Sequence, residues 1–198
     1  MIKGIIFDYG GVIAKGPSLY ELCDIFAKEN KIDANKFRDV FLSNWRPARL
    51  NQLSQDDFWT NIAGEFGISP RKLRKDLLEF FKVDENMLTF LKQLKKANYK
   101  LAMLSNNIPD FFEDNNEKNH VRKYFDSVIL SYEVGLAKPD LRIYELALSK
   151  IGLKANECIY IDDMSKNLPT AQQLGMKAIQ FKGLDILKNE LIYCGVKF

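Results

Sequence analysis

Five short apolar runs constrain this chain more than any other feature: Ile5-Ile6-Phe7, Leu101-Ala102-Met103-Leu104, Val128-Ile129-Leu130, Cys158-Ile159-Tyr160-Ile161 and Ala178-Ile179-Gln180-Phe181. Each is brief, and most are rich in branched or aromatic residues, as strands covered on both faces should be. Helical spacing separates most of them. Met87, Leu88, Leu91 and Leu94 precede the second run, and Ile143, Tyr144, Ala147, Leu148 and Ile151 precede the fourth, with Gly152 as a helix stop. This alternation predicts an α/β fold with a doubly wound, Rossmann-like parallel sheet. The segment from about Pro17 to Val83 breaks the pattern, with amphipathic stretches but no convincing strand. Asp33 is expected to cap a helix carrying Phe37, Val40 and Phe41, and Ser54 one carrying Phe58, Ile62 and Phe66, while Ser69-Pro70 starts a third. The chain is therefore expected to hold a catalytic core over 1–16 and 84–198 and an inserted α-helical cap over 17–83. A cap inserted after the first strand would sit over the carboxyl edge of the sheet, where such folds bind ligands.

Composition narrows the partners. Against 29 basic and 26 acidic side chains, the net charge of +3 is small, and no basic stripe points to a nucleic acid. The run Arg71-Lys72-Leu73-Arg74-Lys75 reads as the solvated face of a helix. No apolar stretch approaches the roughly 18 residues of a membrane span, and the N-terminus carries no signal-peptide pattern. Cys23, Cys158 and Cys194 are scattered, odd in number and lack metal-ligand spacing, which fits reduced thiols in a cytoplasmic protein, with Cys158 a small buried hydrophobe. His120 is the single histidine, so histidine-pair metal sites are excluded. Its polar surroundings, Asn115 to Lys118 and Asn119, make it a surface residue.

Polar residues of a particular kind follow the apolar runs. Phe7 leads into Asp8-Tyr9-Gly10-Gly11-Val12, Leu104 into Ser105-Asn106-Asn107, and Ile161 into Asp162-Asp163 with Asn167 one helical turn later. Gly135-Leu136-Ala137-Lys138-Pro139-Asp140 follows the third run after a short loop. A parallel sheet gathers all of these at one edge, which then holds three carboxylates, a hydroxyl, amides and one lysine. This set suits phosphoryl transfer. A carboxylate at a glycine-rich turn can attack phosphorus while backbone amides approach the phosphate oxygens. Clustered carboxylates need a counter-charge, and Mg²⁺ with oxygen ligands supplies one. A hydroxyl and a lysine meet the negative charge that spreads in the transition state. Any one element alone has a plainer reading, since a lone aspartate after a strand is usually a turn or helix cap.

In these motifs the chain resembles the haloacid dehalogenase superfamily, particularly its small phosphatases similar to bacterial glucose-1-phosphate phosphatase and to the N-terminal domain of soluble epoxide hydrolase. The resemblance runs from Ile5 to Ile13, then Met103 to Asn107, Gly135 to Asp140, and Tyr160 to Asp163 continuing through Ala171 to Met176. It implies that Asp8 is a nucleophile that becomes an aspartyl-phosphate, and that Ser105 and Asn106 bind phosphoryl oxygens. Lys138 would stabilise both nucleophile and phosphate. Mg²⁺ would be held by Asp8, the backbone carbonyl of Gly10 and Asp163, with Asp162 a ligand or second-sphere partner and Asn167 orienting the loop. The substrate would be a small phosphorylated metabolite, a sugar phosphate for example.

One departure stands out. Most phosphatases of that superfamily carry a second aspartate two residues after the nucleophile, to protonate the leaving group; here the position is Gly10. General acid–base help is worth about 10²–10⁴-fold. Three alternatives follow: esters with better leaving groups, a proton supplied by Tyr9, Arg46 or Arg49, or a weakly active or inactive relative that binds phospholigands. The haloacid dehalogenase branch also lacks the second aspartate, but it needs no acidic pair such as Asp162-Asp163. Trp45, Trp59, Phe41, Phe58 and Phe66 are expected to form the cap's own core. Tyr193, Val196 and Phe198 are expected to dock an apolar C-terminus on the core, and monomer and dimer are equally compatible with the sequence.

Overall fold

The structure, a computed structural model, describes residues 1–198. The strand β1 (Gly4–Phe7) and a two-residue β2 (Ala14–Lys15) come first, followed by four helices: α1 (Leu19–Asn30), α2 (Ala34–Ala48), α3 (Gln55–Phe66) and α4 (Pro70–Leu78). The two-residue β3 (Lys82–Val83) leads into α5 (Glu85–Lys96), β4 (Lys100–Ser105), α6 (Pro109–Asn119), β5 (Ser127–Leu130) and a short α7 (Ser131–Val134). The chain ends with α8 (Leu141–Ile151), β6 (Cys158–Asp162), α9 (Leu168–Gln173), β7 (Lys177–Gln180) and α10 (Leu184–Tyr193).

All five apolar runs are strands of one parallel sheet, ordered β5-β4-β1-β6-β7. Every residue of β1 and β6 is buried. Period-2 alternation divides β1 between two cores: Ile5 and Phe7 join Leu91 of α5 and Leu187 of α10, while Ile6 faces Tyr144 and Ala147 of α8 and Ala171 of α9. Helices thus cover both faces, which is the doubly wound arrangement. In the register, Phe7 lies opposite Met103 on one side and Ile161 on the other. Asp8 therefore emerges between the loops that follow Ser105 and Asp162, where strand order reverses.

The helices between β2 and β3 follow local capping rules. Asp33 accepts the Lys36 N–H at 2.6 Å and Ser54 the Asp57 N–H at 3.1 Å. Ser69 makes no side-chain cap, and Pro70 in the first turn suffices. Phe41, Trp45, Phe58 and Trp59 are buried in a cluster belonging to these helices, and Phe66 packs against it, so the aromatics form a core there. Ile108 and Phe111, from the start of α6, join the same cluster. A second tie is polar. The buried Asp110 accepts hydrogen bonds at 2.6 Å from Gln55 Nε2, Trp59 Nε1 and Arg74 Nη2.

Several expectations need correction. β2 and β3 pair antiparallel, with Ala14 opposite Val83, so a strand does occur at the end of the 17–83 segment. The basic run on α4 is exposed apart from Leu73, but Arg74 reaches across to Asp110 and does more than face solvent. Asn167, placed one helical turn after the acidic pair, ends a 3₁₀ turn over Ser165–Asn167, and α9 starts only at Leu168. At the C-terminus, Val196 is buried and Phe198 packs edge-on against Phe90 with centroids 4.8 Å apart, but Tyr193 is exposed. Cys158 is buried, all three cysteines are free, and His120 is exposed. No helix is long and apolar enough to cross a membrane.

Candidate active site

The carboxyl edge of β1 sets the site. The Asp8 N–H donates to Ile161 O at 2.8 Å, extending the β1–β6 pairing by one residue. The Asp8 carboxylate then receives the Tyr9 N–H at 2.6 Å and Lys138 Nζ at 2.8 Å, both on Oδ1. These contacts leave Oδ2 as the oxygen not engaged by them. Asp8 is buried, at 7% exposure. Burial pushes its carboxyl up to about 8 against the pull of Lys138, and the negative charges of Asp162 and Asp163 push the same way.

Two glycines shape the turn after Asp8 in different ways. Gly11 has a φ of +75°, and a Cβ there would lie 2.4 Å from Asp163 Oδ2. Only glycine lets the Asp163 carboxylate come so close to this backbone. A Cβ on Gly10 would meet nothing within 4 Å.

Lys138 is buried and reaches Asp162 Oδ2 at 2.7 Å as well as Asp8. Burial disfavours its charge, but Asp8 and Asp162 hold the ammonium above its ordinary range. Its loop is fixed by a reciprocal pair: Asn106 Nδ2 donates to Lys138 O at 2.9 Å, and Lys138 N donates to Asn106 Oδ1 at 2.8 Å. The Asn106 side chain, expected to meet phosphate, instead holds the Lys138 backbone through both its amide atoms. Ser105 lies buried at the end of β4, beside this loop.

Asp162 is fully buried and heavily hydrogen-bonded. Oδ2 takes Lys138 Nζ and the Tyr160 hydroxyl, Oδ1 takes the Met164 N–H at 2.8 Å, and Asn167 Nδ2 lies 3.0 Å from both oxygens. Burial works against its ionisation, but Lys138 and these donors keep the carboxyl below its ordinary range. Asp163 is half-buried, and burial followed by the charge of Asp162 raises it. Carboxylate oxygens of Asp8, Asp162 and Asp163 all lie within 4.8 Å of one another. Three carboxylates facing one ammonium form a hard-oxygen donor set with surplus negative charge, which fits a divalent cation.

Residues considered as proton donors fare unevenly. Tyr9 is buried with its ring edge-on to Phe112 at 5.1 Å, and burial pushes its phenol far up. It packs into the core toward α6 and is not a donor at this edge. Arg46 is exposed; Arg49 is half-buried, its Nε has no partner, and burial followed by the charge of Arg46 lowers it. The turn after α2 does approach the lysine loop, since Leu50 O lies 3.9 Å from where a Gly135 Cβ would be. A cleft of about 830 Å³ between α4 and α6, lined by Arg71, Lys82 and Lys118 among others, contains none of the candidate residues.

Sequence reasoning missed three contributors. Ser131 Oγ accepts the Asn107 N–H at 2.9 Å and donates to Asn107 O at 3.1 Å, clamping the loop after β4. The Tyr144 hydroxyl holds Asn167 O at 2.8 Å. Tyr160 lay inside a run read only as apolar. The Ser131 and Tyr144 contacts join segments more than twenty residues apart, and Tyr160 is only two residues from Asp162 but its hydroxyl reads as part of an apolar strand.

A parallel α/β sheet with a buried aspartate, lysine and acidic pair at the carboxyl edge of its strands defines a class of hydrolytic enzymes. Residues 5–181 match the family described as haloacid dehalogenase-like hydrolase, and the chain belongs to that family. D-ribitol-5-phosphate phosphatase from Bacteroides thetaiotaomicron is 27% identical over 191 residues, covering 91% of this chain and 92% of the relative. Glyceraldehyde 3-phosphate phosphatase from Methanocaldococcus jannaschii is 25% identical over 201 residues, covering 91% and 85%. The crystal structure of a haloacid dehalogenase family enzyme from Bacteroides thetaiotaomicron has a TM-score of 0.81 at 24% identity, covering 96% of this chain and 98% of that one. The same enzyme in complex with magnesium and inorganic phosphate has a TM-score of 0.77 at 24% identity, covering 92% and 95%.

Proposed function

We propose that this protein is a Mg²⁺-dependent phosphatase of small phosphorylated metabolites, sugar and polyol phosphates among them, working through an aspartyl-phosphate on Asp8. The observation that carries this reading is the Asp8–Lys138–Asp162 chain of contacts at 2.8 and 2.7 Å, with Asp163 beside it. Asp8 Oδ2 attacks phosphorus, the bond from phosphorus to the ester oxygen breaks, and the alcohol oxygen takes a proton from water because position 10 has no side chain. Water then attacks phosphorus, the bond from phosphorus to Asp8 Oδ2 breaks, and the proton that this water gives up neutralises the hydroxide left in the first step, releasing inorganic phosphate and restoring the carboxylate. Lys138 holds Asp8 Oδ1, so that Oδ2 faces the substrate, and meets charge that develops on the phosphoryl oxygens. Ser105 and the backbone of Asn106 bind those oxygens. Asp8, Asp163 and the Gly10 carbonyl would hold Mg²⁺, which supplies countercharge to the phosphoryl group when bound; Asp162 and Asn167 orient the loop and the lysine.

The helices α1–α4 act in this reading as the cap, excluding water and selecting the substrate, with Arg46 and Arg49 available to an anionic group. The names of the two relatives support a small phosphorylated polyol or aldose as substrate. Free thiols fit a cytoplasmic setting.

The test is phosphate release from D-ribitol 5-phosphate, glyceraldehyde 3-phosphate, glucose 1-phosphate and p-nitrophenyl phosphate, with Mg²⁺ or EDTA, for wild type and Asp8→Asn. Release that needs Mg²⁺ and vanishes in the variant supports the proposal. Release that survives in Asp8→Asn, or none from any substrate, overturns it.

A further inference from the structure

Tyr160 has no role in the chemistry above, yet its placement is specific. It is fully buried in β6, and its hydroxyl donates to Asp162 Oδ2, the same oxygen that receives Lys138 Nζ at 2.7 Å. Its ring lies beside the same ammonium, with the centroid 5.8 Å from Nζ. One phenol thus bonds to one member of the pair that steers Asp8 and lies beside the other.

Packing asks only for the ring. Tyr160 meets Tyr144 edge-to-face at 5.3 Å, and the Tyr144 hydroxyl is engaged elsewhere, on Asn167 O at 2.8 Å. A phenylalanine would fill the same space without burying a polar group. Asp162 does not need the hydroxyl to be held, since Met164 N and Asn167 Nδ2 already fix it at 2.8 and 3.0 Å. What the hydroxyl changes is the oxygen shared with lysine. A carboxylate oxygen that accepts one charge-assisted hydrogen bond offers less to a second donor.

We propose that the Tyr160 hydroxyl is a positioning group: by sharing Asp162 Oδ2 with Lys138 it keeps the ammonium poised between Asp162 and Asp8. Without it, Lys138 is drawn onto Asp162 and away from the nucleophile and the incoming phosphoryl oxygens. The kinetic consequence rests on the phosphatase reading, whereas the geometric consequence does not.

Tyr160→Phe tests both. In crystal structures of wild type and variant, Lys138 Nζ moves toward Asp162 and away from Asp8. In the kinetics, kcat falls about ten-fold, as a displaced catalytic group implies. KM and the Mg²⁺ concentration for half-maximal rate stay within about two-fold, because neither Asp8 nor Asp163 is altered. In an Asp162→Asn background the Tyr160→Phe change adds no further loss, since the hydroxyl acts through that carboxylate. If Asp162→Asn does not fold, the crystal comparison and the kcat–KM split still decide. If wild type releases no phosphate from any substrate, the phosphatase reading fails, and Lys138's position in the two crystals alone decides the inference. An unmoved Lys138 overturns it, as does an unchanged kcat in an active enzyme, or a loss that appears only as lower stability with kcat and KM shifting together.

Discussion

Asp110→Asn isolates the polar tie between α6 and the helices α3 and α4. The substitution keeps the shape of the side chain, so no cavity forms, but it replaces one acceptor oxygen with an amide donor. Three donors converge on the carboxylate at 2.6 Å, from Gln55, Trp59 and Arg74. Burial raises the Asp110 carboxyl, while Trp59 and Arg74 pull the other way, so the charge is costly to bury and depends on these partners. A hydrogen bond to a charged group contributes about 1.5–3 kcal/mol, and a buried donor left unpaired costs about 1–3 kcal/mol. Arg74 is 50% exposed and its share is discounted for screening. The oxygen that Asn keeps can still serve either Trp59 or the Gln55–Arg74 pair, which leaves the expected loss at about 2–3 kcal/mol, since such contributions are not additive. For a chain of this size that is a fall in Tm of roughly 4–12 °C. Urea unfolding followed by tryptophan fluorescence reads it directly, because Trp45 and Trp59 both lie in the helical segment's core. A Trp59→Phe partner variant should show coupling with Asp110→Asn. A loss below about 0.5 kcal/mol, the range of an ordinary surface substitution, would refute the view that Asp110 ties α6 to these helices.

Gly11→Ala places a Cβ 2.4 Å from Asp163 Oδ2 at a φ of +75°, so it should displace that carboxylate and lower the Mg²⁺-supported rate by at least ten-fold, read as phosphate release against Mg²⁺ concentration; a wild-type curve contradicts the assignment of Asp163. Gly10→Asp enters open space and should raise turnover of alkyl phosphates toward the 10²–10⁴-fold typically (~) gained from general acid help, with little gain on p-nitrophenyl phosphate, and equal gains on both would show that protonation is not what position 10 lacks. The third prediction concerns pH in EDTA. Burial places the folded Asp8 carboxyl at about 8, above its ordinary 3.8, so the folded state holds the extra proton between these values and stability falls as pH rises through that window. Asp8→Asn should therefore gain on wild type in thermal melts from pH 4 to pH 8, and a gap that shrinks over that range would contradict the sign.

How much of this was legible in the sequence depends on how far each contact reaches. The buried strands β1, β4 and β6 leave apolar runs and the half-buried edge strands β5 and β7 leave shorter or interrupted ones, so all five were visible, and with them the edge that gathers Asp8, Ser105, Lys138 and Asp162. Asp33 and Ser54 were visible because an N-cap bonds to a backbone N–H only three residues on. The β2–β3 ribbon was not, since two residues leave no periodicity. Tyr9 looked like a candidate donor by proximity to Asp8, but adjacent residues after a strand point to opposite sides, and its ring turned into the core against Phe112. Asn106 looked free for phosphate until the Lys138 backbone, 32 residues away, occupied its amide. Asp110 belongs to the same class, being held by partners that only the folded chain brings near.

The central claim is that Asp8 carries the phosphoryl group during turnover. Wild type mixed with substrate and Mg²⁺, quenched in acid within milliseconds and digested, should give a peptide spanning Asp8 that is heavier by one phosphoryl group, and fragmentation should place that mass on Asp8. The adduct should be absent in Asp8→Asn. Phosphate release without any adduct on Asp8, or an adduct on another residue, would contradict the account.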